Sequence, residues 1–65
     1  MLDQINKLMQ RAVELYGRDR YYKIHFEVDE KTGANTPIVS VTWPDGSAIA
    51  ELFLQNDEIF HLFPA

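Results

Sequence analysis

Sixty-five residues without a cysteine, with ten acidic and six basic side chains for a net charge of −4, leave room for one domain with a thin core. The missing thiols exclude a disulfide scaffold and a thiolate zinc site and leave the redox compartment undecided. The acidic balance repels phosphate backbones and anionic lipid, so nucleic acid is disfavoured as a partner.

No stretch approaches the roughly 20 apolar residues of a membrane span, and no basic-then-apolar leader opens the chain, so no membrane partner and a cytoplasmic protein are expected. The charges are interspersed, and neither a repeat nor a linker divides the chain, which reads as a single domain over residues 1–65. Domains this small commonly rely on a disulfide, a metal or a partner, and of these the composition leaves association open.

The first sixteen residues predict a helix. At about 100° per residue, Met1, Leu2, Ile5, Leu8, Met9, Ala12, Val13, Leu15 and Tyr16 fall within an arc of roughly 160°, and polar residues fill the rest. Gly17 stands where an αL cap is wanted, Arg18 and Arg20 suit the negative end of the helix dipole, and Asp3 with Lys7 forms an i,i+4 pair. The arc is wider than one helix–sheet contact needs. It is expected to lie on the sheet, with any surplus open to a second helix across a dimer.

From Tyr21 to Asp29, Tyr22, Ile24, Phe26 and Val28 alternate with Tyr21, Lys23, His25, Glu27 and Asp29, the period of a strand with one wet face. Residues 30–35 then read as a polar hairpin loop. Pro37 is expected to open the second strand and not to sit within a ladder, because it has no N–H to donate.

Two alternating runs flank Pro44-Asp45-Gly46. A two-residue turn at Asp45-Gly46 pairs Trp43 with Ala48, Val41 with Ala50 and Val39 with Leu52 on one apolar face, and sets Thr42 beside Ile49, Ser40 beside Glu51 and Ile38 beside Phe53 on the other. The small Ala48 and Ala50 admit a closely packed helix, with Trp43 closing one end of that contact. A second two-residue turn at Asn56-Asp57, both tolerant of positive φ, pairs Leu54 with Ile59 and Leu52 with His61 on the core side. It also pairs Phe53 with Phe60 and Glu51 with Leu62 on the far side. The expected fold class is α+β: an N-terminal helix packed on one face of a four-stranded antiparallel β-meander.

This sorting leaves Ile38, Ile49, Phe53, Phe60 and Leu62 on the sheet face away from the helix, a patch too apolar for an isolated chain of this size and the candidate partner-binding surface. Strand one contributes Tyr21, Lys23, His25 and Glu27 to the same side. A histidine beside a carboxylate can act as a general base, but exposed strands alternate such residues for solubility and cross-strand pairing, so these four are weak polar-face candidates only. His61 reads as a partly buried strand residue with one hydrogen-bond partner. The two histidines have no metal-site spacing, and Asp29-Glu30 lacks the regular acidic spacing of a calcium loop. No catalytic motif, cofactor or metal is implied.

The function expected is a small noncatalytic protein-interaction module that self-associates or binds a larger protein through the outer sheet face. The alternatives are a binder of single-stranded nucleic acid that uses the aromatic sheet face with Arg18, Arg20 and Lys23 at its rim, and a small enzyme whose site forms at a dimer interface.

Overall fold

The structure, a computed structural model, describes residues 2–64 without the Leu2 side chain. Helix α1 (Leu2–Tyr16) precedes strands β1 (Tyr21–Val28), β2 (Asn35–Thr42), β3 (Ala48–Gln55) and β4 (Glu58–Phe63). The strands form one antiparallel sheet in the order β1-β2-β3-β4, and the helix packs on β2 and β3. This is an α+β meander with a helix on one face, as the periodicity predicts. Met1, part of the expected apolar arc, lies outside the described residues.

The helix stops where its cap is encoded. Gly17 takes a φ of +89° and donates its N–H to the Val13 carbonyl at 2.8 Å, the bond of an αL cap. The Tyr22 hydroxyl donates to the Gly17 carbonyl and ties the cap to β1. Partial burial raises the pKa of that hydroxyl, against the lowering effect of the Arg20 charge. Lys7 is not held by Asp3. It reaches across to the β3–β4 turn, where its Nζ lies 3.0 Å from Asp57 Oδ1 and 3.1 Å from the Asp57 carbonyl.

The core forms where the helix faces the middle strands. Leu8 and Ala12 are buried against Val39, Val41, Ala50, Leu52 and Leu54, and Met9, Tyr16, Tyr22, Ile24 and Ile59 are half-buried around them. The apolar arc is only partly used. Leu15 is exposed, and on β1 the core-side residues Phe26 and Val28 are exposed too, because the helix lies over β2 and β3.

The β1–β2 loop is built as its composition indicates. Asp29 and Ala34 are bonded at 2.9 Å, the Asp29 carboxylate accepts the Lys31 N–H at 2.8 Å, and Gly33 supplies a φ of +74°. Strand β2 starts earlier than expected, and Pro37 lies inside its ladder with β1, opposite Phe26. The pairing of β2 with β3 begins only at Ile38, so the missing N–H of Pro37 costs no bond to the central neighbour.

The turn between β2 and β3 is longer than the expected two residues. Pro44, Asp45 and Gly46 form a three-residue loop, in which the Gly46 N–H bonds the Trp43 carbonyl at 2.9 Å and the Trp43 N–H bonds Ser47 at 3.0 Å. Gly46 provides the required φ of +89°. This loop pairs Thr42 with Ala48, not with Ile49. A β-bulge then makes Ile49 the extra residue and restores Val41↔Ala50, Val39↔Leu52 and Ile38↔Phe53. Two departures of one residue cancel, which is why the facial sorting survives a wrong turn length. Trp43 does not close the helix contact. It lies exposed beneath the Arg20 guanidinium, 4.6 Å from the ring centroid, and Ala48 is exposed as well.

Candidate functional site

The sheet face away from the helix has no covering element among the described residues. Cross-strand register assembles it in rows, the central one being His25, Ile38, Phe53 and Phe60, one residue from each strand. The row divides by character. On the β1 side Tyr21, Lys23, His25 and Glu27 are exposed and polar, whereas on the β3–β4 side Phe53 and Phe60 stack with ring centroids 5.4 Å apart and planes at 26°. Beside them the Ser40 hydroxyl donates to Glu51 Oε2 at 3.2 Å, so this carboxylate is occupied within the sheet.

Of the five candidate partner-binding residues, four sit on this face. Ile38 is only 3% exposed and forms the floor, Phe53 is half-buried, and Phe60 and Leu62 are 41% and 50% exposed. Ile38, Phe53 and Leu62 line a groove of about 300 Å³ whose other walls include Glu27, Thr36 and Gln55. Ile49 does not belong. The bulge at its position leaves it half-buried against the core cluster, so this candidate is a packing residue.

Strand β4 forms one edge of the sheet. Its turn is the expected one, with Asn56 at φ +52° and Asp57 at φ +63°, both in the left-handed region that a two-residue hairpin turn demands. Such a turn makes Gln55–Glu58 a hydrogen-bonded pair, and by alternation Phe53–Phe60 as well, so the N–H and C=O groups of Ile59 and His61 point outward from the sheet. A second bulge, at Leu62, pairs Glu51 with Phe63 and not with Leu62. The bulge adds Phe63, 45% exposed, to the apolar end of the strand, a residue that an unbroken register does not bring there.

The histidines are placed apart. His61 is exposed, and its Nε2 lies 2.8 Å from the Tyr16 hydroxyl, a single partner that ties the end of the helix to β4. His25 lies on β1 opposite Ile38. Among the described residues no three histidine or acidic side chains gather as a metal site, and Asp29 serves its own turn. Comparison with protein-family models, with curated proteins and with solved structures finds no match.

Proposed function

We propose that the chain is a noncatalytic self-association module in which a second copy adds its β4 to this β4, antiparallel, around Phe60. The observation that carries this reading is the Phe53–Phe60 stack, half-exposed on an open face and ending at an unpaired strand edge.

The geometry of β4 is self-complementary. In an antiparallel pair about Phe60, the outward amides and carbonyls of Ile59 meet those of His61 of the partner copy, so these main-chain groups exchange hydrogen bonds. Phe60 then faces its own counterpart in a non-hydrogen-bonded pair, the kind that brings side chains closest. Glu58 falls opposite Leu62 of the other copy, so no like charges are opposed. The two stacks join into one aromatic strip across the four central strands of an eight-stranded sheet.

The β1 edge suits this poorly. Its open face carries Lys23, His25 and Glu27, the charged side chains with which sheets keep an edge free. A thin core with no cysteine, and with no cluster of metal ligands among the described residues, supports the same reading, since association is another common way for so small a domain to gain stability.

Light scattering at several concentrations tests it. The unmodified chain is expected to approach twice its 7.6 kDa mass, and Phe60→Glu to remain at the monomer mass with its circular dichroism intact. A Phe60→Glu variant that associates as the parent does would overturn the proposal.

A further inference from the structure

The net charge of −4 is not spread over the molecule. The end that holds the β1–β2 loop, the β3–β4 turn and the start of the helix carries Asp3, Glu27, Asp29, Glu30, Asp57 and Glu58 against Lys7 and Lys31, a local charge of −4 equal to that of the whole chain. The opposite end, where the helix stops and the β2–β3 turn lies, is different. Arg18, Arg20 and Lys23 gather there, and none of them forms a salt bridge among the described residues, whereas Lys7 and Arg11 are paired with Asp57 and Glu14. Of the acids near them, Asp45 accepts hydrogen bonds from the Ser47 hydroxyl at 2.6 Å and the Ser47 N–H at 2.9 Å, Asp19 borders the cavity of Arg18 and Arg20, and Glu51, two strands from Lys23 in the same row, accepts from the Ser40 hydroxyl. An eight-residue strand spans about 26 Å, roughly three Debye lengths at physiological salt, so the acidic end is screened from this one.

Aromatic surface lies among these cations. Tyr21 is 60% and Trp43 46% exposed, with the Arg20 guanidinium over the indole. Two adjoining cavities share Tyr21 and Pro44: one of about 270 Å³ bordered by Trp43, Lys23 and Thr42, and one of about 360 Å³ bordered by Arg18, Asp19 and Arg20.

We infer that this end binds single-stranded nucleic acid, one base stacking on Tyr21 and on the indole face of Trp43 that Arg20 does not cover, while the flanking phosphates meet Lys23 and Arg18. A base needs a flat aromatic surface and its phosphate needs cations a few ångströms away, and the paired cavities offer these side by side. Both cavities open onto the surface, which suits a strand passing over them better than an enclosed free nucleotide. An acidic peptide could satisfy the cations, but the flat aromatic surface beside them favours a base. The site is separate from the β4 edge and does not depend on the self-association reading.

Trp43 is the only tryptophan, so its fluorescence reports on the site directly. Titration of the full chain with a ten-residue thymidine oligonucleotide is expected to quench that fluorescence saturably, with log affinity falling against log salt at a slope of about −1.4, the value for two cations on a single strand. Lys23→Gln and Arg18→Gln are each expected to weaken binding about fivefold and flatten the slope by about 0.7, and Lys31→Gln, at the acidic end, to change neither. Absence of quenching, a slope near zero, or equal loss in Lys31→Gln and Lys23→Gln would overturn the inference. So would a hexaglutamate peptide that quenches Trp43 as tightly as the oligonucleotide, because the site would then be a carboxylate-binding one. The salt slope and the peptide comparison use the parent chain and decide the matter even if a variant fails to fold.

Discussion

The two faces of this sheet are built from the same strands and end in different states. On the helix side Val39, Val41, Ala50 and Leu52 are fully buried beneath Leu8 and Ala12, whereas on the open side only Ile38 reaches comparable burial and the aromatic pair Phe53–Phe60 remains partly in water. One helix of fifteen residues covers one face of two strands. The contrast separates the roles of apolar residues here: those facing the helix hold the fold, and those at β4 are free to meet another molecule.

The sharpest way to break this comparison is to swap a residue on each face. Leu52→Ala removes a fully buried side chain at the centre of the core and is expected to cost about 2–5 kcal/mol, enough to unfold much of so small a domain, as urea melts would show. Phe60→Glu, one strand away and on the other face, is expected to leave the monomer folded and change its oligomeric state instead. If both variants unfold alike, the two faces form one core and the distinction fails.

The sorting itself rests on the β2–β3 turn. At Gly46 a Cβ would meet nothing within 4 Å, so Gly46→Ala tests the backbone alone: at φ +89° it is expected to cost about 1 kcal/mol in thermal or urea unfolding. Arg20→Gln, which removes a cation from an exposed indole face, is expected to cost about 0.5 kcal/mol. The smallest effect concerns pH. The Ser47 hydroxyl and N–H hold the Asp45 carboxyl below the usual carboxylate range, so its contribution to the turn is complete above about pH 4 and is lost as pH falls through the lowered value. Asp45→Asn is expected to flatten the acid limb of the pH–stability curve slightly.

Much of this was legible in the chain because each element carries its own stop signal. Gly17 ends the helix, and Asn56-Asp57 sets the last hairpin, since few residues accept positive φ twice in succession. The four strands follow from strict alternation. What alternation could not show was the pair of bulges. Pro44 draws the turn out to three residues, and Ile49 absorbs the shift, so the expected pairs from Val41 onward were right although the turn was not. The same bulge took Ile49 out of the candidate patch, and the bulge at Leu62 brought Phe63 toward it. Nor does spacing reveal long-range partners. That Lys7 prefers Asp57 to Asp3, that Tyr16 meets His61, and that Arg20 lies over Trp43 depend on where the helix settles across the sheet. The gathering of Arg18, Arg20 and Lys23 around Tyr21 and Trp43 was visible only as residues near a rim, because an average charge of −4 hides a molecule with six of its ten acidic residues at the other end.

The role of β4 is tested most directly by amide hydrogen exchange of the unmodified chain at a low and a high protein concentration. The amides of Ile59 and His61 point away from β3, so in a lone molecule they face water. They are expected to exchange rapidly when the protein is dilute and to become protected as concentration rises, while the β1 edge is unchanged. Equal, rapid exchange of both amides at every concentration would contradict the pairing of two copies through this strand.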